Sequence, residues 1–276
     1  MSVVINTNYA AVLARKNLDE VQRQMDKSVE RLSSGRRINN ASDDAAGSAI
    51  AGRMESQIRG LTMGVRHAKD GQSLVGTAEG AMQELNKILQ RMRELAVQSA
   101  SGVASNTDKD YLNLEMANLT AQITAIAQNT KFNDQNLLTG TAFTFYTDMD
   151  VAGTAIVTTT AACSAAALAV TAANVSIGGS STVNTSAAIN RIDTAIATVD
   201  NRRAALGAIS NRFDHIIDNL QNVIMNTVAS QSRIVDADFS VETTNLTRNT
   251  VLQQAATSML AQANAQKNSI LALIQQ

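Results

Sequence analysis

The sequence predicts a mainly α protein: long helical hairpins and coiled-coil rods, with a small β-hairpin and a short variable insert. Three observations carry this. Ala supplies 44 of the 276 residues, and Ala is the best helix former. Pro, the worst helix former, is absent. Apolar residues recur at steps of three and four over most of the chain, the period of one helix face. Eight aromatics are too few for the core of a sandwich or barrel of this length.

The first helix is predicted over Val4 to Leu32. Ala11, Ala14, Leu18, Val21, Met25, Val29 and Leu32 fall at steps of 3, 4, 3, 4, 4 and 3, a coiled-coil seam. Gly35, after Ser33-Ser34, supplies a left-handed cap. A polar linker, Arg36 to Ala41, follows. Ser42 is predicted to cap the second helix, with Asp43 and Asp44 at the positive end of its dipole. Ile50, Met54, Ile58, Leu61, Val65, Ala68, Gln72, Val75, Ala78, Met82, Leu85, Leu89, Met92 and Ala96 then keep the helical step throughout. Unbroken from Asp43 to Ala100, this helix would be roughly 87 Å long. Gly60, Gly64, Gly71, Gly76 and Gly80 each weaken it by about 1 kcal/mol. They admit a bend, a close neighbour, or a break near Asp70-Gly71.

Ser101-Gly102 ends that rod, and Asn106, Thr107 and Asp108 offer caps to a third helix with the seam Leu112, Met116, Leu119, Ile123 and Ile126. The short connection makes the pair antiparallel. Character changes at Thr130. Residues 139–186 hold 16 Ser or Thr among 48, with Asp148 and Asp150 as their only charges. Phe143, Phe145 and Val151 with interspersed Thr read as strand and hairpin. The Ala161–Ala173 run is ambiguous between short helix and loop, and Gly178-Gly179-Ser180-Ser181 reads as a turn. The whole segment is expected to be a surface-exposed insert, whose hydroxyls fit O-glycosylation and plain solubility equally.

Helical period resumes at Ala187 with Ile189, Ile192, Ile196, Val199, Arg203, Leu206, Ile209, Phe213, Ile216, Leu220 and Val223. Arg203 on this seam must snorkel or pair. A polar break around Ser230–Asp236 follows, and Asp238 is the cap of the last helix. From Asn249 to Gln276 that helix carries one charge, Lys267; Leu252, Ala256, Met259, Ala263, Ile270 and Leu273 mark one face. The other faces carry Gln, Asn, Ala and Ser, whereas a solvated helix wears charge. Its amides make a lipid span too costly. The sharper reading is burial against several protein neighbours in an assembly; the plainer one is a disordered or single-partner tail. The layout is palindromic, which predicts a hairpin with both termini at one end and the insert at the other.

Composition excludes several function classes. The net charge of −1 gives no electrostatic support to nucleic-acid binding. A single cysteine excludes an intrachain disulfide framework and a Cys-based zinc site. His67 and His215 have no ligand-spaced partners, and Asp43-Asp44 reads as a helix cap before a catalytic pair. No P-loop, nucleophile elbow or HExxH pattern is present, so no enzyme, cofactor or metal is expected. No apolar window spans a membrane, and the N-terminus lacks the basic region of a secretory signal.

The residues then carry a resemblance. Ile5-Asn6-Thr7-Asn8, Arg31-Leu32-Ser33-Ser34-Gly35, Arg37-Ile38-Asn39, Asp43-Asp44-Ala45-Ala46-Gly47, Ser56-Gln57-Ile58-Arg59-Gly60-Leu61, Thr77-Ala78-Glu79-Gly80 and Arg93-Glu94-Leu95-Ala96-Val97-Gln98 resemble the N-terminal block of bacterial flagellin. Phe132-Asn133 with Leu137-Leu138 is similar to the start of its hairpin. Leu206-Gly207-Ala208, Asn211-Arg212, Ser232-Arg233-Ile234, Asp236-Ala237-Asp238 and Gln262-Ala263-Asn264 resemble its C-terminal block. The motifs cover about 1–140 and 187–276. The departures are a short middle, Cys163, and Gln72 where the family more often has an apolar residue.

The resemblance implies a subunit of the flagellar filament, exported unfolded through the flagellar type III channel and polymerised at the filament tip outside the cell. The implied domains are 1–33 plus 237–276 (inner coiled coil), 34–41 plus 231–236 (linkers), 42–138 plus 187–230 (helical rods) and 139–186 (short variable surface insert). Further copies of the chain, an export chaperone, the filament cap and a hook-associated junction protein are the implied partners; neither nucleic acid nor membrane is. Leu18, Val21, Met25, Leu252, Met259 and Ile270 are the expected polymerisation residues. Flagellins that activate the flagellin-sensing Toll-like receptor use an Arg, a Leu, a Gln and a Glu that match Arg91, Leu95, Gln98 and Glu115 here. The spacing of 4 and 3 puts the first three on one helix face, where packing against the next subunit is the plainer role. A hook–filament junction protein and a secreted coiled-coil translocator are the alternatives.

Overall fold

The computed structural model describes residues 7–147, 155–178 and 182–274, without side chains at 182–184 and 267–274. Val4, Val151 and most of the Gly178–Ser181 turn lie outside the described residues. The fold is mainly α, as the sequence predicts. The elements are α1 (Tyr9–Ser34), α2 (Ala45–Ser99), α3 (Asn106–Asn129), β1 (Lys131–Phe132), β2 (Gln135–Asn136), β3 (Ala142–Tyr146), β4 (Ala155–Thr159), α4 (Thr182–Val235) and α5 (Phe239–Ile274). They divide into two compact units, Met1–Ser56 with Asn226–Gln276, and Gln57–Met225.

In the first unit α1 and α5 pair antiparallel. The Asn8 side chain caps α1 by accepting from the Ala11 amide, and donates to the Ala263 carbonyl at 3.1 Å. Gly35 ends α1 with φ 70, as its sequence position predicts. The seam runs through Ala11, Ala14, Leu18, Val21, Met25, Ser28 and Leu32, a strict heptad. Val29, expected on it, is 49% exposed; Ser28 holds that place, because position in the repeat outweighs hydropathy. Asp238 caps α5 through the Ser240 amide at 2.8 Å, as expected.

Two boundaries in this unit differ from expectation. Ser42 does not cap α2: the Asp44 carboxylate accepts from the Gly47 amide at 2.8 Å and the helix starts at Ala45. Asp43 instead folds the linker, accepting from the Asn39 and Asn40 amides and pairing with Lys27 at 2.8 Å. Residues 231–235 are helical, so the polar break shrinks to Asp236–Asp238. Nothing in that stretch breaks a helix, and Gln231 donates to the Ala51 carbonyl. The linkers join in an antiparallel backbone bridge between Arg36 and Asp236, made by Arg37 N–H to the Val235 carbonyl and Ala237 N–H to the Gly35 carbonyl. Ala51 is buried where Ile50 was expected.

In the second unit α2, α3 and α4 share one core, centred on Met82, Leu85, Leu89, Met92, Met116, Ile123, Ile192, Val199 and Phe213. There is no break at Asp70-Gly71: α2 is continuous, and Gly71 serves a close neighbour. A Cβ there would meet the Phe213 ring at 2.5 Å. Phe213 is fully buried and stacks edge-on against Phe145 at 5.7 Å. Gly64 admits the Thr147 carbonyl in the same way. Ser105, not the three residues after it, caps α3, in a capping box with Asp108. Arg203 pairs with Glu79 and Asp200, one of its two expected roles.

Asn133 and Asp134, both at positive φ, turn β1 into β2. The β3–β4 ladder turns Phe143, Phe145, Ile156 and Thr158 inward. Beyond it the 161–173 run is turn and loop, not helix, with Ala169 left-handed. The expectation of a surface-exposed insert is corrected here. Ile156, Cys163, Leu168, Val170, Val175 and Ile177 all lie in the core, because small side chains let the loop lie close against the helices.

Candidate functional site

Two surfaces hold the residues singled out in the sequence. The first is the α1–α5 pair. Leu18, Val21 and Met25 are half-buried on the α1 seam, facing α5. The α5 seam is Leu246, Asn249, Gln253, Ala256, Leu260 and Ala263, again a strict heptad. Two of its places are polar: Asn249 is buried, and Gln253 donates to Gln22 at 2.6 Å. One turn before it, Arg31 pairs with the buried Glu242 at 2.9 Å.

Leu252 and Met259 are not on this seam. They are 44% and 66% exposed, with Val251 beside them at 60%. Ile270 lies on α5 beyond the described side chains. On α1, Tyr9, Val12 and Leu13 are also exposed. Asn249 and Gln253 thus face inward while Leu252 and Met259 face outward, the reverse of where a solvated amphipathic helix places such residues. Of the face expected on α5, Ala256 and Ala263 lie on the seam, whereas Leu252 and Met259 lie outside it. The spacing of Asn249, Gln253, Ala256, Leu260 and Ala263 held the signal, had polar residues been admitted to the repeat.

The second surface lies where α2 meets α3. Arg91 donates from Nε to Glu115 at 3.0 Å and from Nη1 to Glu94 at 3.1 Å, with half of its side chain exposed. These bonds, Glu115 first, raise the guanidinium pKa further above its ordinary value. Gln98 is exposed. Leu95 is not: it is 1% exposed and belongs to the core. The expected stripe is therefore interrupted. The segment ending at Ile177 closes over α2 there, and the Ser99 hydroxyl donates to the Ile177 carbonyl at 2.9 Å. Periodicity along α2 alone could not show that a distant loop widens its buried face.

His67 and Cys163 have structural contacts, and His215 is exposed. His67 Nδ1 lies 3.0 Å from the Tyr146 carbonyl and ties β3 to α2. Cys163 is fully buried, which places its thiol out of reach of an interchain disulfide. Burial raises its pKa, and the Arg202 guanidinium donating to it offsets part of that rise. Among the hydroxyls of the middle segment, Thr139, Thr141, Thr144 and Thr159 are exposed, whereas Thr147, Thr158, Thr160 and Thr185 are buried. Among the described residues no helix is long and apolar enough to cross a membrane.

Comparison with known proteins agrees along the whole chain. Residues 5–142 match the model of the bacterial flagellin N-terminal helical region, and residues 189–274 that of the C-terminal helical region. A flagellin of Halalkalibacterium halodurans is 41% identical over 275 residues, covering 99% of this chain and 100% of that protein. The flagellar filament 33 kDa core protein of Treponema phagedenis is 37% identical over 292 residues, with 99% and 100% covered. The crystal structure of Bacillus cereus flagellin, 29% identical, covers 56% of this chain and 88% of that one at a TM-score of 0.50. Full-length relatives that are themselves filament proteins do not favour a junction protein or a translocator. The chain belongs to the bacterial flagellin family, and it is a structural subunit of the flagellar filament.

Proposed function

We propose that the chain polymerises through the outer faces of α1 and α5, with Leu252 and Met259 meeting neighbouring copies. Leu18, Val21 and Met25 act one step earlier, holding α1 against α5. The observation that carries this is the exposure of Leu252 and Met259 on a helix with almost no charge. Large apolar groups left outside the seam gain most by burial against another chain. On this reading residues 1–33 and 237–276 form the inner domain, 34–41 and 231–236 the linkers, and 42–138 with 187–230 the outer rods. The export chaperone, filament cap and hook-associated junction protein belong to the same reading, as the handlers of a secreted, self-assembling chain.

The test is seeded elongation. Leu252→Glu with Met259→Glu changes only exposed positions, so the thermal melt of the monomer is expected to stay unchanged. Growth from filament seeds is expected to stop. Normal growth of this variant would overturn the assignment.

A second role rests on Arg91. Its exposed, doubly paired guanidinium with Glu115 and Gln98 forms a surface suited to recognition by the flagellin-sensing Toll-like receptor. Leu95 supports that surface from beneath. Arg is prominent among residues that dominate interfaces.

A further inference from the structure

The two hairpins of the second unit leave an open pocket over α2. Leu74, Phe132, Phe143 and Phe145 line it, with Asn133 and Gln135 at its mouth, and its volume is about 170 Å³. An apolar cavity of about 150 Å³ accepts a benzene-sized group. Three of the chain's five Phe converge on this one place, each only half-buried. Elsewhere on the same unit, Tyr111 and Leu114 stand on one face of α3 at 69% and 65% exposure. Val103, in the turn before α3, is 93% exposed. A Tyr suits a site with an apolar body and a polar rim.

Tyr111 cannot fill the pocket of its own chain. Unbroken helix separates it from Asn129, just before β1, by about 27 Å at about 1.5 Å per residue. Tyr111 can reach such a pocket only on another copy. Knob and hole are different surfaces, so their contact is heterologous, and such contacts propagate as open helical polymers where the rotation does not close a ring. Asp110 precedes the knob and Lys131 precedes Phe132, both exposed, so insertion also brings opposite charges together.

We propose that Tyr111 of one copy inserts its ring into the Phe132–Phe143–Phe145 pocket of the next, its hydroxyl donating to the side-chain carbonyl of Asn133 or Gln135. Leu114 and Val103 cover the rim. This rests on the filament-subunit reading and adds one contact by which successive copies grip each other.

Two measurements test it. Tyr111→Ala is expected to raise the critical concentration for seeded elongation about tenfold or more, as loss of a central aromatic anchor does; Tyr111→Phe is expected to raise it less. In a Cys163→Ala background, Leu114→Cys and Gln135→Cys are each made singly and together, and filaments are oxidised with copper phenanthroline. Co-polymerised single variants should yield covalent dimers and nothing longer, and the double variant a ladder. Normal elongation of Tyr111→Ala, with no crosslink in the filaments, overturns the contact and leaves the filament subunit standing. Failure of the unsubstituted chain to elongate from seeds overturns both.

Discussion

Gly71 shows how one missing side chain positions a hairpin. Its bare Cα lets the Phe213 ring sit against α2, where the ring also meets Phe145 of β3. Gly71→Ala sets a methyl 2.5 Å from that ring, and a fully buried Phe213 has no free space to yield into. The expected cost is about 1–3 kcal/mol, read as a lower urea midpoint. Asp43 gives the matching electrostatic case. The hydrogen bond from Lys27, then those from the Asn40 and Asn39 amides, lower its pKa from 3.8 to about 2. The unfolded chain then takes up a proton at higher pH than the folded one. The stability from this carboxylate is complete above about pH 4 and is lost as pH falls toward 2. Asp43→Asn is expected to flatten that part of the acid-unfolding profile; an unchanged profile would assign the acid limb to other carboxylates.

At the scale of elements, the α1–α5 pair is held in register by polar groups in its seam. A polar residue in a heptad seam sets register at a cost in stability, and the Arg31–Glu242 pair, one turn before the α5 seam, adds a charged tie. Glu242→Leu alone strands a largely buried guanidinium, at an expected cost of about 3 kcal/mol. Arg31→Met added to it should recover most of that loss in a thermal melt, while loosening the register of the pair. Paramagnetic relaxation between spin labels on α1 and α5 would report the slippage. An uncorrected double variant would mean that the pair contributes net stability.

For the whole molecule, a residue exposed on the chain and covered in the filament can serve two partners in turn. Arg91 is half-exposed and held by Glu115 and Glu94. Arg91→Ala is therefore expected to reduce receptor activation by monomer about tenfold or more. Lys69→Ala, an exposed charge elsewhere on α2, should leave it unchanged. Lys109, near the start of α3, is unsuitable as that control because it is buried. Equal signalling by the unsubstituted chain and Arg91→Ala, at matched folding, would remove these positions from recognition.

Much of this was legible in one dimension. The absence of Pro, the abundance of Ala and the steps of three and four determined the helices. Gly35 and Asp238 marked two helix ends correctly, because caps depend on local backbone geometry and the nearest amides. What the chain does was legible from the blocks at its two ends. Tertiary structure decided which side of each helix is inside. Ser28 and Asn249 enter a seam that Val29 and Leu252 leave, since a heptad partner selects by position. Leu95 and Cys163 are buried where the loop up to Ile177 is tied to Ser99 of α2, Asn113 of α3 and Arg202 of α4, and such burial follows from neighbours far away in the chain. A sequence states the period of a face; only the packed chain states what that face meets.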